Sequence, residues 1–336
     1  MPVGCGSHTA QIIDRDGAVV AVPDVLLEVE WTRVLDDTST ARILVQPGDD
    51  CCAALSRVRS WRHKLALWRD NQPVWEGPIL TPIWRNSGVE ITAVDIMGWL
   101  DRRVPHSDLT FADDELAEIA AVLIRDGFAP DDPGHSVTII ASTRIRGRRE
   151  YQADVGQIGD HLRDLAATGL DYTAVGSRIL LLPEDHCARV GSLTDGDFAD
   201  GLRIAEDGAG LATRWIVQGS EDVTGTAGGI DPYYGLLERV VEETSILDSA
   251  SATAAARSRL RASRPAPVFI DTDDTTTLSP DASVDVPTLV PGWCVDVSTT
   301  ETCRNIAQSM KILGLKVKET GAAGETVSVQ LAPSGM

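Results

Sequence analysis

Residues 64–103, KLALWRDNQPVWEGPILTPIWRNSGVEITAVDIMGWLDRR, decide how the rest of the chain is read. Leu65 and Leu67 alternate with polar or aromatic neighbours up to a turn cluster, Asp70-Asn71-Gln72-Pro73. A long strand from Val74 to Trp84 follows, and Asn86-Ser87-Gly88 supplies the next turn. Val89, Ile91 and Ala93 then alternate with Glu90 and Thr92, the period of a half-buried strand. From Asp95 the spacing becomes helical, with Ile96, Trp99 and Leu100 on one side, and the stretch ends in the basic pair Arg102-Arg103. It is a β-meander closed by a short helix, and it holds no catalytic motif.

Working outward, residues 1–103 are dominated by strands. Thr9–Asp14 and Ala18–Val22 flank Arg15-Asp16-Gly17, a hairpin signal. Val25–Val34 alternates, with Leu27, Val29 and Trp31 on one face and Glu28, Glu30 and Thr32 on the other. Asp36 to Ser39 turns the chain into Ala41–Val45, and Asp49 or Asp50 is placed to cap a short helix reaching Val58. Many strands with few helices predict a small, strongly curved sheet or barrel.

Residues 104–190 change character. Leu116, Ile119, Ala120 and Leu123 have helical spacing, with Gly127 as the expected stop. Asp131 to Gly134 is a loop, and Arg144 to Arg149 (RIRGRR) is the one basic cluster. Val155, Ile158, Leu162 and Leu165 mark a second helix ended by Gly169, and a hairpin turns at Gly176-Ser177. Residues 191–336 return to strands: Ala212–Gln218, Leu289–Val297, Asn305–Glu319 and Thr326–Leu331. Between them, 225–234 (GTAGGIDPYY) reads as loop, 249–263 as an alanine-rich helix with serine at its start, and 271–279 as a polar segment. No short-period repeat is visible.

The chain has 336 residues, enough for two or three domains, and is 43% hydrophobic, so packed cores are expected. Formal net charge is −20, which argues against phosphate binding as a main task. A wall along which DNA slides should repel phosphate, and an acidic surface also simply keeps a protein in solution. The six cysteines form no CxxC and no zinc spacing. Their scatter fits a reducing cytoplasm better than a disulfide scaffold, with Cys51-Cys52 read as core packing. No apolar run approaches the roughly 20 residues that span a bilayer, and the N-terminus shows no signal-peptide core. The expectation is a soluble chain, not exported by a visible route.

Residues inviting a chemical reading are weak. His161 with Asp164 one turn later poses as an acid–base pair, but the helix pattern places His161 off the apolar stripe, on a solvated face. Asp271, Asp273 and Asp274 offer carboxylates to calcium without EF-hand spacing. Gly6-Ser7-His8 is not a nucleophile elbow, and His186-Cys187 points to opposite faces if extended. The tryptophans carry more weight. Trp61, Trp68, Trp75 and Trp84 cluster in the meander, as a sugar platform would, yet large aromatics on a small sheet are more often core or interface anchors. Trp68, Trp75, Trp84 and Trp99, with Arg144, Arg146, Arg148 and Arg149, are the candidate interface residues. The bland reading of the arginines is a solvated loop or an intersubunit salt-bridge patch.

Two stretches carry a family resemblance: LWRDNQPVWEGPI…ITAVDIMGWLDRR within 64–103, and LVPGWCVDV…SMKILGLKVKETGAAGETVSVQLAP within 289–333. The sequence resembles siphophage minor tail proteins of the baseplate-hub type, common in phages of actinobacteria. The resemblance implies a mainly β chain with an α+β insert: two tail-tube-like β-barrel or sandwich domains (1–103 and 191–336) flanking a small α+β domain (104–190). It implies a structural virion protein at the tail tip, made in the host bacterial cytoplasm, with no catalytic residue, cofactor or metal. The implied assembly is a homotrimer whose two barrel-like domains per subunit make a pseudo-sixfold ring. That ring would meet a distal tail protein or the tail tube above and a central fibre or other tip proteins below, beside the tape measure protein. DNA would transit its lumen without specific binding, past more acidic than basic side chains. The runner-up is a tail-associated cell-wall hydrolase, for which the chain, stopping soon after Pro333, leaves no room for an added catalytic domain. A third reading is a glycan- or receptor-binding tip module.

Overall fold

The computed structural model of the chain describes residues 3–46, 48–199, 204–206, 208–220, 222–263, 268–270, 276–301, 303, 305–321 and 324–333. The hairpin at Arg15-Asp16-Gly17 joins β1 (His8–Ile13) to β2 (Val19–Ala21), with the Asp14 N–H donating to Ala18 O at 2.7 Å. β3 (Leu26–Val34), β4 (Thr40–Val45) and the short helix α1 (Asp49–Leu55) follow. Neither aspartate caps α1. Gly48 holds the N-cap position, and both residues lie inside the helix. Of the adjacent cysteines, Cys51 is buried and Cys52 exposed, so only the first packs in the core.

The meander forms β5 (Lys64–Arg69), β6 (Gln72–Arg85) and β7 (Gly88–Val94), closed by α2 (Met97–Leu100). The first turn is tighter than its four-residue signal. Asp70 and Asn71 both take positive φ, 50° and 65°, the geometry of a two-residue hairpin loop, and Gln72 and Pro73 already pair with Arg69 and Trp68. β6 changes partner along its length: Gly77 lies opposite Leu65 of β5, and Ile79 opposite Ala93 of β7. A Cβ at Gly77 would sit 1.9 Å from Val94 O, so only glycine permits this crossing.

The α+β insert contains β8 (Leu109–Glu115), α3 (Leu116–Phe128), β9 (Ser136–Ile139), β10 (Arg146–Tyr151), α4 (Ile158–Ala166), β11 (Leu170–Val175) and β12 (Arg178–Pro183). α3 runs through Gly127 instead of stopping there. A Cβ at 127 would lie 2.1 Å from Ile158 Cδ1, so this glycine serves close packing of α3 on α4. Val155 stands outside α4 and is exposed. The basic run enters strand β10 at Arg146, with Arg144 and Ile145 in the connection before it.

The remainder comprises β13 (Arg189–Thr194), β14 (Ile204–Glu206), β15 (Arg214–Gln218), β16 (Thr224–Gly228), β17 (Glu238–Glu242), α5 (Ser249–Ala262), β18 (Val268–Ile270), β19 (Thr276–Thr277), β20 (Cys294–Thr299), β21 (Ile306–Thr320) and β22 (Gly324–Pro333). The GTAGG segment, expected as loop, begins with β16. Its small residues let the α5 backbone come close: a Cβ at Gly225 would be 2.1 Å from Ala252 C. The cap of α5 is Asp248, whose carboxylate accepts from the Ser251 N–H at 2.8 Å, one residue before the expected serine.

Among the described residues, twelve strands join one sheet, with the path β13-β20-β21-β3-β4-β7-β6-β5-β1-β2 and with β22 beside β21 and β19. One apolar core unites residues from both ends of the chain, including Trp31, Ile43, Leu65, Ile91, Leu315 and Val329. A second core lies between α3, α4 and the β11–β12 hairpin. A third, small one lies between α5 and the β16-β15-β17 sheet.

The sheet curls until β1, five ladder steps from β3, touches it through side chains. Trp31 Nε1 donates to His8 Nε2 at 3.0 Å, which leaves the proton on Nδ1 to donate to Glu319 Oε2 at 2.6 Å. Arg69 Nε and Nη2 each reach the Glu325 carboxylate at 2.7 Å, and the Gly4 and Gly6 N–H groups donate to Glu325 Oε2 at 3.1 Å. Arg33 points into the core, where its guanidinium donates to Val74 O at 2.7 Å and Pro287 O at 2.9 Å. Burial without a counter-charge pulls it down to about 10.

The cysteines depart from expectation. Cys187 and Cys294 form a disulfide across 107 residues, joining the segment after β12 to β20. Each sits alone in the sequence, so no spacing pattern announces the pair.

Candidate assembly surface

The residues with chemical potential are used structurally. The His161 ring lies 4.8 Å from Tyr151, and its Nε2 is 3.1 Å from Val155 O. The His186 ring packs edge-on at 5.2 Å against Trp293, and Cys187 is taken by its disulfide. Among the described residues no group of three or more His, Cys, Asp or Glu is arranged to hold a metal. The Asp271, Asp273 and Asp274 candidates lie outside the described residues.

The meander tryptophans stand at different depths. Trp75 is buried on the core face opposite Leu67, whereas Trp68 pairs with Pro73, and adjacent strand positions point to opposite faces. Trp84 is 47% exposed, with Nε1 donating to Leu55 O at 3.2 Å. Trp99 is half-buried with its ring 6.4 Å from Trp61, over which the Arg102 guanidinium sits at 4.6 Å. These rings do not form one exposed plane of the kind a sugar stacks on.

The arginines divide by strand alternation. Along β10, Arg146 and Arg148 face solvent while Arg149 is buried with Gly147 and Tyr151. Arg146 Nε meets Asp113 at 3.2 Å, Arg148 pairs with Glu150, and Arg149 Nη1 donates to Arg148 O at 2.9 Å. Arg144 is exposed, at φ 58°.

The solvent face of the curled sheet carries a ladder of paired charges. Glu28 meets Lys318 at 3.1 Å and Arg42 at 2.7 Å, Glu30 meets Lys316 at 3.0 Å, and Glu90 meets Arg42 at 2.9 Å and Arg85 at 3.2 Å. Each exposed pair contributes about 1 kcal/mol at most. Together they leave this face nearly charge-balanced in a chain of net charge −20.

The junction between the insert and the sheet is acidic and buried. Tyr172 OH donates to Asp36 O at 2.6 Å, Thr173 Oγ1 donates to Val34 O at 2.9 Å, and Lys311 Nζ reaches Asp171 and also Glu184 O at 2.7 Å. Burial, reinforced by the neighbouring Asp171, holds the Asp36 carboxyl well above its ordinary range, and burial also raises Asp171. Asp95, which accepts from the Ser39 and Met97 N–H groups at 3.0 and 2.9 Å, is pushed by burial from 3.8 up to about 7.

These groups bind protons more tightly folded than unfolded, so their contribution is fully present below about pH 4 and is lost as pH rises through the folded values. His63 and His186, both lowered by burial, act oppositely and cost stability below about 6.5. The melting temperature is therefore expected to rise as pH falls from 8 toward 6.5, with Asp95 alone contributing about 1 kcal/mol over that window and up to about 4 kcal/mol by pH 4. Thermal scans of Asp95→Asn should show a visibly flatter slope in this window. An unchanged slope would mean that Asp95 is ionised and solvated.

No protein-family model matches the chain, and no curated protein sequence matches it. Solved structures do. The chain is similar to the tail protein from Neisseria meningitidis MC58, with TM-score 0.68 and 13% identity over 98% of this chain and 97% of that one. It is similar to the 43 kDa tail protein of prophage MuSo2 from Shewanella oneidensis, with TM-score 0.67 and 12% identity over 98% and 99% of the two chains. Prophage tail protein gp18 from Listeria monocytogenes EGD-e matches at TM-score 0.63 and 11% identity over 96% and 94%. At such identities the likeness is one of fold: a mainly β tail-protein architecture end to end.

Proposed function

We propose that this chain is a structural component of a phage tail, and within it the hub at the distal tip of a siphophage tail. The observation that carries this reading is a match that spans nearly the whole of this chain and nearly the whole of the tail proteins it resembles. A likeness confined to one sheet would point to a shared module only. In this reading three copies form a ring, each placing around the axis the curled sheet that residues of 1–103 and 191–336 build together, with the 104–190 insert packed against it. The hexameric tube binds one side and a threefold fibre or tip complex the other, next to the tape measure protein. Trp68, Trp84 and Trp99 with Arg144, Arg146 and Arg148 are the anchors proposed for these contacts, while the buried Trp75 and Arg149 support the fold behind them. Their work is packing and positioning, not catalysis.

The lumen wall is proposed to carry more acidic than basic side chains, so that phosphate slides past without being held. A lumen lined instead by the charge-balanced face of β3, β4, β7 and β21 would overturn that part. Tagging the protein in assembled particles and locating the tag by gold-labelled electron microscopy tests the placement. Label at the free end of the tail is expected; label along the tube, at the head, or absent from particles overturns the hub.

A further inference from the structure

The connection between α1 and β5 forms one side of a cleft of about 380 Å³, to which it contributes Arg57, Arg59, Arg62 and His63. The other side is Asp14, just past β1, with Val19 and Val20 of β2. The connection is held in a fixed shape. The Arg59 N–H donates to His63 Nδ1 at 2.8 Å, and the His63 N–H donates to Arg59 O at 3.2 Å. Arg59 Nη1 donates to Ser56 O and Val58 O at 2.9 and 2.7 Å. Ile79 of β6 anchors the segment, its O accepting from the Trp61 N–H at 2.8 Å and its N–H donating to His63 O at 2.9 Å.

His63 supplies a donor with no acceptor. The residue is 5% exposed and lines the cleft. Nδ1 is occupied as an acceptor, so the proton of the neutral ring sits on Nε2. Burial lowers the ring's affinity for a second proton, which keeps it uncharged near neutral pH. The carboxylate beside Nε2, Asp14 Oδ1, lies 3.7 Å away, beyond hydrogen-bond reach. That carboxylate is already engaged, by Arg62 at 2.7 Å and by the Arg15 N–H at 2.7 Å. Arg57 is exposed, and its side chain has no hydrogen bond or ion pair among the described residues. Arg59 meets only carbonyl oxygens. Two guanidiniums without an acidic partner thus face one cleft in a chain of net charge −20.

Two such cations and a neutral N–H suit a doubly charged oxyanion with three or more acceptor oxygens; a carboxylate offers one charge and two oxygens. The volume falls in the range of small-molecule clefts, and the valines give it an apolar side. A nucleic acid strand needs a row of cations for successive phosphates, which this one cleft in an acidic chain does not provide. We propose that the cleft between residues 57–63 and β2 binds a small phosphate monoester, its phosphate on Arg57, Arg59 and the His63 Nε2–H and its carbon skeleton against Val19 and Val20. The site goes beyond the tail reading and stands or falls separately from it.

The test uses the full chain with isotope-labelled histidine rings, followed by nuclear magnetic resonance while glycerol phosphate is added at about pH 7.5, where the ester carries nearly two charges. Of the six histidines, His63 alone should shift, and it should saturate with a Kd of roughly 1 mM or tighter. Arg57→Glu should weaken binding about 10-fold or more. Arg257→Glu makes the same charge change at an exposed position of α5 and should weaken it less than about 2-fold. Glycerophosphoglycerol, a diester with a single charge, should bind about 10-fold more weakly than the monoester. Circular dichroism confirms that the variants fold, and the titration of the parent needs no variant. A His63 signal that stays put, equal losses in the two variants, or equal binding of monoester and diester each overturns the assignment. A DNA oligonucleotide that binds more tightly than the ester and moves the same signal overturns it in favour of a nucleic-acid contact.

Discussion

Replacing Glu325 by glutamine is expected to lower the stability of the fold by about 3–5 kcal/mol, the largest single-substitution effect foreseen in this chain. The Glu325 side chain is fully buried and Arg69 is 2% exposed, so removing the carboxylate charge leaves a guanidinium without its main counter-charge in a dry site. Asp70, 3.2 Å from Nη1, retains only part of the compensation. The neighbourhood cannot relax around the change. A Cβ at Gly6 would already lie 2.3 Å from Arg69 Nε, so the chain's first turn is pressed against the pair. The melting temperature should fall on the order of 10 °C.

Removing both partners as Arg69→Met with Glu325→Met should cost far less, since two desolvation penalties disappear with the attraction. Lys318→Gln, at the exposed Glu28 pair, should cost under about 1 kcal/mol. Burial alone would raise the Glu325 carboxyl, but the hydrogen bond and charge of Arg69 outweigh it and the net shift is downward from 4.5. The pair therefore contributes above that value and is lost as pH falls through the lower folded one, on the acid side of the Asp95 window. A Glu325→Gln scan no different from the Lys318→Gln scan would show that water reaches the pair.

The same residues show how far the sequence could be read. The meander of β5, β6 and β7 was legible because hairpin turns and period-two alternation are local, and the mainly β class with its α+β insert follows from the same signals. Arg69 was visible only as the last residue of a strand, because its partner lies 256 positions away and no spacing encodes a contact of that range. Gly127 and Gly225 misled for one shared reason. A glycine signals either chain freedom or close packing, and the choice between them depends on what a second element brings near: Ile158 in one case, the α5 backbone in the other. The tryptophans cluster in sequence, yet one pleat separates Trp75 in the core from Trp68 on the other face, and register is what a bare sequence leaves undetermined. Ile230 and Tyr233 stand exposed inside a segment that reads as loop, and no local signal marks which apolar side chains of such a segment face solvent.

Reduction of the Cys187–Cys294 bridge is the second large effect expected, a loss of about 2–4 kcal/mol. The two cysteines are 107 residues apart, and cross-linking so long a stretch removes much of the unfolded chain's freedom. The bridge also sits where the insert meets the sheet. Cys294 lies opposite Lys311 in the β20–β21 ladder, and Lys311 is the cation held by Asp171 and Glu184 O. Loosening one side of that junction frees the other. A reductant should lower the melting temperature of the parent, and Cys187→Ala with Cys294→Ala should reproduce the lower value and be insensitive to reductant. Cys5, Cys52 and Cys303 are exposed and unbridged, so their alkylation without reduction should leave the parent's melting temperature unchanged. A protein synthesised among reduced thiols would first fold without the bridge and gain this increment on meeting an oxidising exterior. A parent whose melting is indifferent to reductant, with both thiols free by mass spectrometry, would place Cys187 and Cys294 with the unpaired cysteines and leave the junction held by Lys311 and by the Tyr172 and Thr173 hydrogen bonds.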